Sequence, residues 1–286
     1  MNNVHGILFL TAAMLLFAVE DTFIKILTNS FAQWQIIAML GLGGSLIFGL
    51  LANLNGRIHF RDLLASKVLI ARSLAEAMAA GSYVISLSAV DLTVTAAVFQ
   101  ATPLAITFGA AVFLKEPVGW RRWSAIVIGF IGVLIIIRPG VDGFQPAALW
   151  ALVAVAAVAA RDLLTRFVPK DVQSTSVAFF AFFTLFIIGV PITFLTAEFR
   201  PLSGTSIYLV PLAVIFGAGG YYAIVTAMRG ADASAIMPFR YTRLLFSIAL
   251  GIIVFSESLD TPTIVGSLII IATGLFTFWR ENRLRR

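Results

Sequence analysis

Charged side chains that interrupt long apolar segments are the residues of this sequence best suited to do chemistry. Arg243 lies deep in the apolar segment near 233–256, and Glu76 lies at a comparable depth in the segment near 68–89. A guanidinium group can bind a carboxylate through two parallel hydrogen bonds, and a sequestered carboxyl group can accept a proton. Arg243 is therefore a candidate for binding a ligand carboxylate or for a structural ion pair. Glu76 is expected to pair with Arg243 or Arg240, or else to accept a proton or contact the ligand.

A second pattern consists of like charges that recur at a spacing of 141 residues, close to half of the 286-residue chain. Only 12% of the residues are charged, so four matches at one spacing indicate a duplication. The sequence therefore predicts two copies of one unit, residues 1–140 and residues 141–286. The matched pairs are Asp21 and Asp162, Lys25 and Arg166, Asp91 and Asp232, and Glu116 and Glu257.

Two of these matches place an acid and a base four residues apart, which puts both on one face of a helix. Asp21 precedes Lys25 in the first copy, and Asp162 precedes Arg166 in the second. Each couple is interpreted either as a local ion pair near the end of its segment or as part of a gate or proton pathway. The four remaining matched carboxylates are expected to be structural, because a carboxylate at a helix start or in a tight turn can accept free backbone amides.

The elements that must position these groups are membrane-spanning helices. Sixty per cent of the residues are hydrophobic and the mean hydropathy is +0.99, which the surface of a soluble protein cannot accommodate. A spanning helix needs roughly 20 apolar residues, so the chain has room for about ten. The absence of cysteine excludes disulfides, thiol catalysis and cysteine metal ligands. The basic residues that give a net charge of +6 lie between apolar segments, so they indicate topology and not a nucleic-acid surface.

We predict an all-α integral membrane protein with ten transmembrane helices. If the N-terminus is cytoplasmic, fourteen basic residues, Arg161 among them, fall in the inner loops and the C-terminal tail, and three fall outside. This bias places both termini in the cytoplasm. Five spans per copy is an odd number, so the two five-helix repeats are inverted relative to each other, as in transporters that open a central site to each side in turn. The predicted spans lie at about 4–27, 32–53, 68–89, 91–114, 119–138, 147–168, 173–196, 205–228, 233–256 and 262–280.

Prolines lie in the interior of four of these spans, and Pro103 and Pro238 are the two that could shape a site. Pro103 lies near the middle of the fourth span, where it removes one backbone donor and frees the carbonyl group of Phe99. Within a membrane that carbonyl group needs a neighbouring donor or a water-filled cavity. Pro103 is therefore either a tolerated kink or a bend that lines a binding cavity, and Pro238 in the ninth span invites the same interpretation. Because Pro103 maps onto Leu244 and not onto Pro238, the two bends are expected at different depths.

The 141-residue shift also predicts which side chains of the two copies meet. It maps Gln100 onto Tyr241, Phe99 onto Arg240 and Thr102 onto Arg243. An apolar, aromatic lining with a few polar groups is the usual composition of a small-molecule site. The predicted substrate-binding residues are Glu76, Phe99, Gln100, Pro103, Tyr83, Tyr221, Arg240, Tyr241 and Arg243. The predicted gating or hinge residues are Asp21, Lys25, Asp162, Arg166, Pro103 and Pro238.

Short motifs typical of one transporter family occur in both copies. They comprise Phe17, Ala18, Asp21 and Lys25, then Pro103, Glu116, Gly129 and Gly132, then the stretch Pro238–Phe246 with Gly251, Phe255 and Glu257, and finally Gly266, Gly274, Trp279, Arg280 and Glu281. With these motifs the chain resembles the EamA-type transporters of the drug/metabolite transporter superfamily over essentially its whole length. The resemblance implies a ten-helix, two-repeat plan and proton-coupled or exchange transport of small organic metabolites. The family resembled includes amino-acid exporters of the YddG type and carriers that take up riboflavin or S-adenosylmethionine.

Other classes of membrane protein fit the sequence less well. The two histidines, His5 and His59, lie at or beyond span ends, and no His-Glu-x-x-His motif occurs, which argues against a membrane-embedded enzyme. No phosphate-binding Gly-x-x-x-x-Gly-Lys-Ser/Thr loop occurs, which argues against a pump driven directly by ATP. A membrane channel stays open as an alternative.

We therefore predict a monomeric, multi-pass secondary transporter of the bacterial inner membrane, with a small molecule and the lipid bilayer as its partners and no cofactor, metal or nucleic acid. Export of amino acids, including aromatic ones, is the first hypothesis for its activity. Uptake of a vitamin or nucleoside-like metabolite, of the riboflavin or S-adenosylmethionine type, is the second. Both hypotheses rest on the family resemblance.

Overall fold

The computed structural model describes residues 3–54, 66–116, 118–140, 144–169, 172–231 and 236–285, and the regular structure within these ranges is helical. Ten helices in the described ranges are long and apolar enough to cross a membrane, which confirms the predicted number of spans. Asp232, which was expected to begin the ninth span, lies outside the described residues.

The ten spans are labelled α1 to α10 in chain order. Two of them are interrupted: α4 consists of Leu92–Phe99 and Thr102–Phe113, and α9 consists of a 3-10 turn, Met237–Tyr241, followed by the helix Thr242–Phe255. The continuous ones are α1 (Asn3–Leu27), α2 (Gln33–Leu54), α3 (Lys67–Ala89), α5 (Trp120–Ile137), α6 (Ala148–Thr165), α7 (Ser174–Leu195), α8 (Ser206–Gly230) and α10 (Thr261–Arg285).

The end of the bundle at which α1 begins is called the N-terminal face, and the other end is the opposite face. Successive spans alternate in direction, so odd-numbered spans begin at the N-terminal face and even-numbered spans end there. Apolar side chains occur all around the helices, as expected for segments with protein on one side and lipid on the other. In α3, for example, Ala79 and Gly81 are buried in the bundle, whereas Leu74 and Met78 are about half exposed on the outside.

The helix contacts follow the predicted duplication. The 141-residue shift maps α1–α5 onto α6–α10, and the packing partners map in the same way. α1 packs on α8 and α9, and correspondingly α6 packs on α3 and α4. α2 packs on α7, and α5 packs on α10, so each of these helices contacts its own counterpart. Two five-helix halves are therefore related by an approximate two-fold axis, and because five is odd the second half crosses the membrane in the inverted sense.

Glycines allow the self-paired helices to approach closely. A side chain added at Gly132 on α5 would place its first carbon 2.9 Å from the carbonyl oxygen of Gly266 on α10. One added at Gly189 on α7 would lie 2.9 Å from the carbonyl oxygen of Trp34 on α2. Backbone contacts of this kind are how membrane helices gain van der Waals packing without a hydrophobic driving force between them.

The helices α4 and α9 end in two turns that have the same geometry. Lys115 and Ser256, which are 141 residues apart, both have a left-handed backbone, with φ of 55° and 54°. The amide of Glu116 then donates to the carbonyl oxygen of Ala110 at 3.2 Å, and the amide of Glu257 donates to that of Gly251 at 3.1 Å. In both turns the donor and the acceptor are six residues apart, so the two helix ends share one hydrogen-bond pattern. It brings the two matched glutamates to equivalent positions after their helices.

Candidate functional site

The interruptions of α4 and α9 meet between the two halves. Pro103 cannot donate to the carbonyl group of Phe99, and the hydroxyl group of Thr102 donates to it instead at 2.6 Å. In α9 the hydroxyl group of Thr242 donates in the same way to the carbonyl group of Phe239, also at 2.6 Å. The carbonyl group freed by proline is thus satisfied by a neighbouring side chain.

The two interruptions end at matching positions, although the one in α9 is longer, and the expected difference in the depth of the bends stays a prediction. In α9 the tight turn that starts at Met237 extends as far as Tyr241, the counterpart of Gln100, where α4 also leaves helical geometry. The Gln100 side-chain amide donates to the Tyr241 carbonyl group at 3.4 Å, which joins the two interruptions across the pseudo-axis. The sequence predicted this contact correctly.

A cavity of about 590 Å³ surrounds this junction. Its lining reaches Thr165 and Ser174, at the end of α6 and the start of α7, so it extends to the N-terminal face. Toward the opposite face it ends near Ile24. Lys25, Arg166 and Pro238, predicted as gating or hinge residues, are not among the lining residues. The lining includes every residue predicted to bind substrate, namely Glu76, Phe99, Gln100, Pro103, Tyr83, Tyr221, Arg240, Tyr241 and Arg243, together with Asp21 and Asp162.

Asp21, Tyr83 and Arg243 form one charge cluster, called the Asp21 cluster. The terminal guanidinium nitrogen Nη2 of Arg243 donates to the two carboxylate oxygens of Asp21 at 2.7 and 2.9 Å, and Nε donates at 3.3 Å. The Tyr83 hydroxyl group donates to the same carboxylate at 3.0 Å. Asp21 is only 2% exposed. An ionised pair in this setting is held by hydrogen bonds on both partners.

Aromatic rings surround the Arg243 side of this cluster. The guanidinium carbon lies 5.3 Å from the ring centre of Phe17, 5.6 Å from that of Tyr83 and 5.2 Å from that of Phe99. These are cation–π distances. Arg243 directs Nε and Nη2 to Asp21, and it does not pair with Glu76 as predicted.

Glu76 belongs to a second group, called the Glu76 cluster, which consists of Arg72, Glu76, Arg161 and Asp162. Arg161 donates to Glu76 at 2.9 Å and contacts Asp162 at 2.7 Å, while Arg72 lies 3.5 Å from Glu76. The prediction that Glu76 pairs with Arg243 or Arg240 is therefore wrong. The reason is that α3 packs on α6, which brings Arg161 beside Glu76. Arg161, assigned to an inner loop from the sequence, lies within α6 and lines the cavity.

The acid and base couples spaced four residues apart also find other partners. Lys25 lies 3.6 Å from the carboxylate of Glu257 and donates to the carbonyl group of Val90 at 2.5 Å, instead of pairing with Asp21. Arg166 pairs with Glu116 instead of Asp162. These two ion pairs are related by the 141-residue shift. In each pair, a basic side chain at the end of α1 or α6 meets the glutamate that follows the turn after α9 or α4.

The two related ion pairs differ in burial. The Glu257 carboxylate also accepts the amides of Leu92 and Thr93 at 2.7 and 3.0 Å and the Thr93 hydroxyl group at 2.8 Å, which caps the start of α4. Its side chain is 5% exposed. The Arg166 and Glu116 side chains are 47% and 49% exposed. The bundle is thus sealed at the opposite face, where Lys25 and Glu257 lie, and open at the N-terminal face.

Aromatic rings form one wall of the cavity, called the aromatic wall. The rings of Phe48 and Phe182 stack with their centres 5.5 Å apart, and the Tyr221 ring meets Phe48 edge to face at 5.0 Å. Phe182 and Tyr221 line the cavity, and so does Tyr241. A planar ring of a ligand would find stacking partners here.

Three charged lining residues, Glu20, Arg72 and Arg161, were not predicted as site residues from the sequence. The available signal was weak: Glu20 directly precedes Asp21 inside the first apolar segment, and Arg72 lies one turn before Glu76. Helix periodicity places such residues on a span but does not indicate which neighbouring span they face. Their role depends on the packing of α1 on α8 and of α3 on α6.

Comparisons with known proteins agree with this architecture. A solved crystal structure superposes with a TM-score of 0.65 over 98% of this chain and 99% of that chain, and at 16% sequence identity this likeness concerns the fold alone. The S-adenosylmethionine uptake transporter of Rickettsia conorii is 29% identical over 205 residues, which are 71% of this chain and 68% of the relative. The riboflavin transporter of Rhizobium johnstonii is 28% identical over 233 residues, 80% of this chain and 74% of the relative.

The sequence pattern of the EamA-like transporter family matches the chain twice, at residues 4–138 and 145–279. The two matches together cover nearly all of the ten spans. The chain is a multi-pass membrane protein and a transporter, not an enzyme, and it belongs to the EamA-like transporter family.

Proposed function

We propose that this chain is an alternating-access carrier that takes up a nucleoside-like metabolite of the S-adenosylmethionine type. Amino-acid export was the first hypothesis from the sequence. The names of the relatives favour the second hypothesis instead, because they describe uptake of S-adenosylmethionine or transport of riboflavin. In this proposal the N-terminal face is cytoplasmic, in accordance with the positive-inside bias, and the membrane is the bacterial inner membrane.

The observation that supports this proposal most strongly is the composition of the cavity. Its volume of about 590 Å³ lies within the usual range for small-molecule sites, roughly 300–1,000 Å³. It offers an aromatic wall on which adenine could stack, and charged groups that could meet the amino-acid part of the same molecule.

Alternating access is supported by the two related ion pairs. One, Lys25 with Glu257, is buried and the other, Arg166 with Glu116, is exposed, although the sequence places them at equivalent positions. We propose that the second pair becomes buried as the N-terminal face closes, while the first pair separates and the opposite face opens. The approximate two-fold axis makes these two arrangements counterparts of each other. Coupling of this motion to protons or to exchange of substrate belongs to the same proposal.

The proposal can be tested with purified protein in proteoliposomes loaded with unlabelled S-adenosylmethionine. Wild-type protein is expected to accumulate the labelled compound in a saturable manner, and excess S-adenosylmethionine should compete better than riboflavin or aromatic amino acids. Ala80→Trp, which fills the cavity, should abolish accumulation. The matched control is Leu74→Trp on the outer side of the same helix, which should retain it. Competition by amino acids alone would overturn the uptake proposal, and stronger competition by riboflavin would indicate the vitamin instead.

A further inference from the structure

Glu20 presents a carboxylate to the cavity, and its electrostatic neighbours are Asp21 and Arg243. It lies on α1 beside Asp21 and lines the cavity. Among the described residues it forms no hydrogen bond and no ion pair, whereas the carboxylate of Asp21 is fully engaged by Arg243 and Tyr83. An ionised carboxylate in a membrane is costly unless a cation or a donor meets it.

Arg240 is the corresponding cation. Its guanidinium group lines the cavity at the start of α9, one turn closer to the N-terminal face than Arg243. Within the described ranges it also forms no hydrogen bond and no ion pair, and its electrostatic neighbours are Asp162, Arg161 and Arg243. The other charged side chains of the Asp21 and Glu76 clusters are paired with each other. The two charges left over are thus of opposite sign and lie beside different clusters.

We infer that the cavity selects a ligand with a separate cationic and anionic group, the cation meeting Glu20 and the anion meeting Arg240. This inference rests on the proposed function and specifies it. In S-adenosylmethionine the sulfonium is the cation next to the nucleoside, and the carboxylate lies at the far end of the amino-acid chain. The sulfonium would therefore meet Glu20, and the carboxylate would meet Arg240, which can bind it bidentately.

Gly217 on α8 makes room for the Glu20 carboxylate. A side chain added at Gly217 would overlap with both the Glu20 carboxylate carbon and its oxygens, whereas one added at Gly219 would only touch Leu16 at 3.5 Å. Gly217→Ala should therefore displace Glu20 from its position without removing its charge. Gly219→Ala, on the same helix, is the matched control.

The inference can be tested by measuring binding of three ligands to purified protein in detergent. S-adenosylmethionine carries the sulfonium together with the zwitterionic amino-acid end, S-adenosylhomocysteine keeps the ammonium and the carboxylate but lacks the sulfonium charge, and methylthioadenosine lacks the amino-acid part. Glu20→Gln and Gly217→Ala are expected to weaken S-adenosylmethionine binding about tenfold or more and to leave S-adenosylhomocysteine binding unchanged. Arg240→Gln should weaken both of these ligands by a similar factor and spare methylthioadenosine. Gly219→Ala should behave like the wild type.

The outcomes separate the inference from the proposed function. If the wild type binds S-adenosylmethionine but Glu20→Gln lowers the affinity for all three ligands equally, the sulfonium assignment is overturned and the proposed function stands. Equal loss of all three ligands in Arg240→Gln overturns the carboxylate assignment in the same way. If the wild type does not bind S-adenosylmethionine, the proposed function fails and this inference fails with it. Retained S-adenosylhomocysteine binding also shows that the Glu20 variants are folded.

Discussion

The Asp21–Arg243 ion pair is predicted to hold the site together, and not to bind the substrate directly. The pair has three N–H···O contacts of 2.7 to 3.3 Å, the Tyr83 hydroxyl group on the same carboxylate, and three aromatic rings around the guanidinium group. Asp21 is 2% exposed. Removal of one partner from a buried pair leaves an uncompensated charge and typically costs about 3–5 kcal/mol. With roughly 2 °C of Tm per kcal/mol in a chain of this size, Asp21→Asn or Arg243→Gln should lower Tm by roughly 6–10 °C.

The double variant distinguishes pairing from two independent effects. Asp21→Asn with Arg243→Gln leaves two neutral amides that can bond to each other, so its loss of Tm should be clearly smaller than the sum of the two single losses. Tm is measured in detergent for the four proteins of the cycle. Asp260→Asn, which removes a carboxylate paired with Arg138 outside the spans, is the control and should change Tm little. Strictly additive losses would refute the pairing, and a selective loss of carboxylate ligands in Arg243→Gln would show that this arginine binds substrate.

Further predictions concern the closed face, the helix contacts and pH. Glu257→Gln removes the charge that meets Lys25, so thiol labelling of a cysteine placed at Ile24 from the opposite face should become faster. Gly132→Val should force α5 away from α10 and lower Tm by several degrees, whereas the same change at Gly119, which has open space, should not. Burial, together with the Glu257 carboxylate, raises the pKa of Asp91, so its ionised form is disfavoured in the folded protein. Asp91→Asn should therefore raise Tm at pH 7, and this gain should vanish as the pH falls and the wild-type carboxyl group becomes protonated.

The number of spans and the duplication could be predicted from the sequence because both are repetitive signals. Apolar segments of about 20 residues define spans without any knowledge of their neighbours. The matched charges also reflect contacts between different spans. Glu116 and Glu257 follow equivalent turns, and Lys25 and Arg166 pair with them across helices, so the pattern records contacts between spans and not contacts within one.

The partners of the buried charges could not be predicted, because they depend on which faces of the helices pack together. Depth along a span suggested that Glu76 meets Arg243, since both lie at similar levels. Because α3 packs on α6, Glu76 pairs with Arg161 instead. Because α1 packs on α9, Arg243 pairs with Asp21. A shared depth is therefore necessary for an intramembrane ion pair but does not identify it.

Thiol labelling from each side of the membrane tests most directly the claim that the cavity opens to the N-terminal face and binds S-adenosylmethionine. The chain contains no cysteine that would interfere. Ala80→Cys places a thiol in the cavity, and Ser203→Cys places one on an exposed loop at the opposite face. A membrane-impermeant thiol reagent should label the first from the cytoplasmic side and the second from the outside. Addition of S-adenosylmethionine should slow labelling at residue 80 and leave residue 203 unaffected. Labelling at residue 80 that is independent of the ligand, or that occurs only from the outside in the absence of ligand, would contradict the account.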